Sequence, residues 1–271
     1  MALPRSETGG AQLTRACPQC GSNDAHTMPE YSVQPWRIVQ CEGCEFVYLQ
    51  NVPVYERLVD ELAWEKTSEA ERERRRVSYP VVNRIERLTR WRLFLIPNKA
   101  VRRMRRIFKE GRILDVGCAA GRSVPEPFIP FGVEISKELA TAANELMSAR
   151  GGYAICAPAV EGVRQFPDRY FSGVVLSSFL EHEANPKQLL EQVARVVADD
   201  GKVYVRVPNF SSINRRVMQA KWCGFRHPDH VNYFTPHSLR RMAKDCGFKM
   251  RVMTPLSLPF NDNINAILSR A

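Results

Sequence analysis

One group of side chains in this sequence has metal-binding spacing. Cys17-x2-Cys20 is followed, after twenty residues, by Cys41-x2-Cys44. Each C-x-x-C pair can wrap one side of a tetrahedral ion, and four thiolates complete the shell of a zinc site. Gly21 and Gly43 stand where the two knuckles must turn tightly. An all-sulfur shell leaves no open coordination position, so the expected role is structural, with zinc tying together two short loops. A redox dithiol or a disulfide pair does not explain why two such units occur together. His26 lies between the knuckles, but the ligand set is already complete without it.

A second pattern is built for a small ligand. Arg112-Ile-Leu-Asp115-Val-Gly117-Cys-Ala119-Ala120-Gly121 is an apolar strand that ends in an acid and a loop of small residues. Such a loop lets backbone approach a ligand closely, and in an open parallel sheet it lies outside the carboxyl ends of the strands. It lacks the Lys-Ser/Thr of a phosphate-binding loop. The next strand ends in Glu134. A carboxylate there can accept both hydroxyls of a ribose, or it can serve as a helix N-terminal charge before Lys137.

The elements that position these groups follow from the texture of the chain. Residues 1–15 read as a flexible leader, 16–50 as a zinc-ribbon-like module, 51–110 as a basic helical linker, and 111–271 as one α/β domain. Apolar runs predict strands at Arg112–Val116, Phe131–Ile135, Tyr153–Cys156, Ser172–Ser177, Lys202–Val207, Phe248–Thr254 and Asn263–Leu268. Helices are expected at Lys137–Ala149, Pro186–Ala198 and Pro236–Cys246. Short apolar runs alternating with helices indicate a doubly wound, mostly parallel, Rossmann-like sheet. Pro125, Pro127 and Pro130 exclude an ordinary helix across Ser123–Pro130.

The ordered motifs D-V-G-C-A-A-G, G-V-E-I-S, L-S-S-F-L-E-H, A-D-D-G, V-P-N and H-V-N-Y-F-T-P-H-S-L-R-R-M together resemble the class I S-adenosylmethionine-dependent methyltransferases. The likeness is to bacterial members with an N-terminal zinc-ribbon-like module, and it covers residues 16–50 and 111–250. It implies that Asp115, Gly117, Ala119 and Gly121 line the methionine end of S-adenosylmethionine and that Glu134 holds its ribose. The Cys156–Glu161 turn would border the adenine, and Ser177–His182 would face both cofactor and acceptor. Ala119 replaces the usual middle glycine, which requires that this residue keep a negative φ. Ser172 stands where the family often has Asp, and the adenine turn lacks its usual acid.

Methyl transfer needs alignment above all, and a hydroxyl acceptor also benefits from a base. His182, His230 and Tyr233 are the candidate catalytic residues, with His227 a further histidine. The aromatic stretch Trp222–Phe234 would either close over the acceptor or pack. His227, Asp229, His230 and His237 match no zinc spacing.

Charge narrows the partners. The chain of 271 residues has a net charge of +10. Arg72–Arg112 carries fifteen Lys/Arg against three acids, so the rest is close to neutral. That segment is a solvated helical face, an RNA-binding surface, or an amphipathic patch for an anionic membrane. The expected reaction is O-methylation of a small molecule or a glycan or lipid-linked intermediate. RNA methylation is the first alternative, and a non-catalytic zinc-ribbon interaction protein on a degenerate methyltransferase fold is the second. No apolar run reaches the ~20 residues of a membrane span. The eight Cys are best read as metal ligands and reduced thiols, and no apolar signal region opens the chain, so a cytoplasmic location is expected.

Overall fold

A computed structural model describes residues 12–53 and 99–271. The larger sheet has seven strands: β6 (Arg112–Val116), β7 (Ile129–Glu134), β8 (Ala154–Cys156), β9 (Phe171–Ser177), β10 (Val197–Pro208), β12 (Phe248–Val252) and β13 (Asn263–Arg270). They lie in the order β12-β13-β10-β9-β6-β7-β8. Strands β10, β9, β6, β7 and β8 are mutually parallel, while β13 runs antiparallel to both β10 and β12. Ile113, Leu114, Val174, Leu176, Val203 and Val205 are all fully buried. Such runs suit central strands, because a parallel sheet is covered on both faces.

The chain order reverses between β6 and β9, and this opens a crevice at their carboxyl ends. Helix α1 (Lys99–Ile107) precedes the sheet, α2 (Lys137–Ser148) packs on β7 and β8, and α3 (Ala159–Arg164) packs on α4 (Pro186–Val196). Beyond the short α5 (Ile213–Met218), α6 (Pro236–Asp245) packs on β12 and starts at a reciprocal Thr235–Ser238 capping box. That box satisfies backbone N–H groups which the first turn would otherwise leave unpaired.

The expected strands and helices are present, with one internal difference. Val197 already pairs with Phe171, and pairing resumes at Lys202 with Gly173. Strand β10 therefore starts earlier than expected, and the A-D-D-G residues turn back on themselves within it, since a Cβ on Gly201 would meet the Ala198 carbonyl oxygen at 3.0 Å and its nitrogen at 3.2 Å. As the prolines require, no helix forms between β6 and β7.

The smaller sheet joins the N-terminal strands to a short strand from the 222–234 stretch. Its order is β11-β4-β3-β2, from β2 (Ala25–Thr27), β3 (Ile38–Cys41), β4 (Val47–Leu49) and β11 (Asn232–Tyr233), all antiparallel. Of the leader expected at 1–15, residues 1–11 lie outside the described residues and the rest is structured. β1 (Gln12–Thr14) pairs with β5 (Asn51–Pro53), and Arg15 is drawn into the interior because its guanidinium finds several acceptors there. Ile38, Val47 and Leu49 pack with Tyr31, Phe210, Trp222, Phe225 and Tyr233 in a second apolar core. Most of the basic segment 72–112 lies outside the described residues, which take in only its last part from α1 onward.

Candidate active site

The small-residue loop leaves β6 at the crevice. Gly117 has φ +72°, and a Cβ on it would meet the Phe179 ring at 2.4 Å, so glycine lets the loop and the β9 exit close on each other. Gly117 and Cys118 donate their N–H groups to the Val133 carbonyl, and Gly121 donates to that of Cys118. Ala119 has φ +47° rather than the negative value its side chain prefers. Its N–H donates to Glu134 Oε2 at 2.9 Å, and this bond is set against the backbone strain. Ser178, just past β9, has φ +56°. Each such residue costs about 1–3 kcal/mol, and both lie at the same sheet edge.

Glu134 ends β7, where the sequence places it. Its Oε1 accepts N–H bonds from Ile135 at 2.9 Å and Ser136 at 3.0 Å, while among the described residues Oε2 accepts from Ala119 alone. A carboxylate has about four lone-pair positions, so Oε2 keeps room for one ribose hydroxyl rather than for both. Asp115 is buried and accepts a hydrogen bond from Ser123 Oγ. Burial raises its pKa to about 7, against the lowering effect of Ser123. Asp115 thus anchors the proline-containing segment that stands in place of a helix. Ser177 is exposed at the end of β9, and Cys156 is exposed at the end of β8.

The histidines converge from two distant segments. His182 and His230 meet edge to face with ring centroids 4.7 Å apart. His182 Nδ1 lies 2.9 Å from the Asp229 carbonyl, and His230 Nδ1 lies 2.8 Å from that of Gly224. Burial, helped by the charge of Arg226, lowers the His182 pKa to about 4. Glu181 joins them, although sequence reasoning did not single it out. It is 1% exposed, and burial raises its pKa to about 8. Arg226 and Asp229 form an ion pair at 3.0 Å within the same loop.

Asn232 clamps this loop to the β9 exit. Its Nδ2 donates to the carbonyls of Leu180 at 2.8 Å and Glu183 at 2.7 Å, and its Oδ1 accepts from Arg15 at 3.0 Å. Arg15 also donates to the Leu49, Ala184 and Val231 carbonyls. Burial lowers its pKa to about 10, so it remains charged at neutral pH. The aromatic stretch is packing rather than an open cover: Trp222, Phe225, Tyr233 and Phe234 are buried. Tyr233 sits in the second core beside Phe210 and Phe225, which makes it a packing residue.

The cysteine quartet comes together as its spacing requires. The four sulfurs lie within 4.8 Å of one another, with Cys17–Cys44 and Cys20–Cys41 each at 3.5 Å. The two knuckles are built alike. Gly21 N–H donates to the Cys17 carbonyl and Glu45 N–H to that of Cys41. Gly21 has φ +78° and Glu45 has φ +60°.

A family model described as a methyltransferase domain matches residues 83–251. An uncharacterized protein of Methanocaldococcus jannaschii, MJ1123, is 27% identical over 155 residues, which is 57% of this chain and 73% of that protein. Among solved structures, a SAM-dependent methyltransferase from Archaeoglobus fulgidus superposes with TM-score 0.50 at 19% identity, covering 66% of this chain and 99% of that one. A SAM-dependent methyltransferase from Thermotoga maritima superposes with TM-score 0.49 at 18% identity, covering 70% and 96%.

Proposed function

The chain belongs to the methyltransferase-domain family and is an S-adenosylmethionine-dependent methyltransferase, and from that premise we propose that it methylates an oxygen of a small molecule or of a glycan or lipid-linked intermediate. The observation that carries this reading is the shared sheet edge. Glu134 and the 117–121 loop stand on one side of the β6–β9 crevice, and His182 with His230 lies beyond the β9 exit. S-adenosylmethionine supplies an activated methyl group and a thioether leaving group. The residues fit it, since Glu134 Oε2 retains acceptor capacity and the loop presents no bulky side chain.

Work is divided among the chain's own groups. Glu134 orients the ribose while holding the Ala119 N–H, so cofactor position and loop conformation are set by one carboxylate. Gly117 brings Phe179 against the loop and so narrows the crevice from the β9 side. The acceptor oxygen is placed against the His182–His230 pair. Alignment of this kind can supply several kcal/mol of rate enhancement, about 7–11 at best. The cysteine quartet holds a structural zinc ion, for which the mutual 3.5 Å sulfur pairs are the support.

Calorimetric titration of the full chain with S-adenosylmethionine and S-adenosylhomocysteine tests the reading. Micromolar binding of both is expected, with Glu134→Ala weaker by about tenfold or more, equivalent to ~1.4 kcal/mol. Silence at millimolar ligand would instead favour a degenerate, non-catalytic domain.

A further inference from the structure

Glu181, His182 and His230 make a second group of metal-ligating side chains, separate from the cysteines. One ligand atom from each lies within 4.8 Å of the other two. The Nδ1 atoms of both rings contact backbone carbonyls, which can only accept, so in the neutral rings Nδ1 carries the hydrogen. Each Nε2 then carries the lone pair. A histidine that ligates a metal commonly has its other ring nitrogen fixed in this way.

Glu181 gives an independent indication. Its Oε2 is buried and has no hydrogen-bond partner among the described residues. A buried polar atom left so is costly, about 1–3 kcal/mol, and calls for a physical explanation. The Glu181 backbone is pinned beside the second loop. The Glu181 carbonyl accepts from Val231 N–H at 2.8 Å and Asn232 N–H at 3.1 Å, and these bonds also bring His230 to it.

We propose that Glu181, His182 and His230 bind a divalent transition-metal ion. Two imidazoles and one carboxylate suit Zn²⁺ or Fe²⁺, unlike the sulfur-only set of the cysteines. Among the described residues three side chains supply ligands, fewer than a full shell of four, which leaves positions for others. Resting on the reading given above, those positions take the acceptor oxygen: the ion lowers the pKa of the bound hydroxyl, its proton leaves to solvent, and the oxygen forms its bond to the methyl carbon as the carbon–sulfur bond breaks onto sulfur. The sulfonium charge is discharged and no oxidant is needed.

Cobalt(II) is the probe. The full chain is equilibrated with Co²⁺, and total zinc plus cobalt is counted alongside the absorption spectrum. Two equivalents are expected, of which only the one at the cysteines can give thiolate-to-metal charge transfer. Glu181→Gln and His182→Gln should each lose one equivalent and keep the charge-transfer site. Cys41→Ser should lose the charge-transfer equivalent. If either ligand variant fails to fold, the wild-type count still decides. A wild-type chain that binds a single equivalent, all of it removed by Cys41→Ser, overturns the proposal, as does Glu181→Gln binding two. Neither count involves S-adenosylmethionine, so failure here is distinct from failure of the calorimetric titration.

Discussion

Asn232 offers a sharp test of how the N-terminal module and the 226–232 loop are held to the β9 exit. Its side chain is 1% exposed and makes three hydrogen bonds, two donated to the Leu180 and Glu183 carbonyls and one accepted from Arg15. Asn232→Ala removes all three and leaves two buried carbonyls without these donors. A buried acceptor stranded in this way costs about 1–3 kcal/mol, and the lost Arg15 contact adds a charge-assisted bond. Because these groups share one network, the losses do not simply add, and a destabilisation of about 3–5 kcal/mol is expected. Asn232→Asp separates shape from donor chemistry. It keeps the volume and the Arg15 partner but turns oxygen toward two carbonyl oxygens, so it should be no better than Ala. The assay is urea unfolding of the zinc-replete chain, followed by circular dichroism and by tryptophan fluorescence, since Trp222 lies in the adjoining core. A loss below about 1 kcal/mol for Ala, or an Asp variant as stable as wild type, would refute the clamp.

Three further outcomes are expected. The Asp115 pKa is raised from 3.8 to about 7, so between those values the native state binds an extra proton and its stability falls as pH rises; Asp115→Asn should therefore gain about 2–3 kcal/mol on wild type between pH 5 and pH 8, and parallel urea midpoints would contradict this. Ala119→Gly relieves a left-handed φ at the expense of unfolded-state entropy, so stability should stay level or rise by up to about 1 kcal/mol, and a loss of more than ~0.5 kcal/mol in urea titration would remove the strain argument. Cys41→Ser should lower bound zinc by one equivalent and loosen the 226–232 loop, because β3 carries β4 and β4 carries β11; hydrogen exchange that is unchanged at Val231 and Asn232 would sever that link.

Elements with a local signature were legible before any coordinates. The buried strands announce themselves as short apolar runs, and each knuckle's two thiols are separated by two residues, a spacing that marks them as a pair. The groups that were missed depend on contacts between distant residues. β11 is two residues long, too short to show a period, and β1 has no apolar alternation to distinguish it from a leader. Glu181 stands beside His182 in a quoted motif, yet its environment comes from Val231, Asn232 and the rings, none of which its local sequence encodes. His230 was weighed with its chain neighbours His227, Asp229 and His237, whereas its partners come from the β9 exit. The positive φ of Ala119 was likewise invisible, because it follows from a hydrogen bond to a carboxylate on another strand.

The smaller sheet also has a history in time. Its edge strand β4 ends at Leu49, but the strand that covers it begins at Asn232. During synthesis at about 5–20 residues per second, that edge waits roughly 10–40 s for its partner. Through that interval the nascent chain carries an uncovered strand edge whose flanking apolar residues lack the aromatic half of their core. Such an edge is a template for pairing with another chain. Early capture of metal by the knuckles would restrain the waiting hairpin, so metal supply during translation, rather than in the finished enzyme, is where scarcity would first show as lost yield.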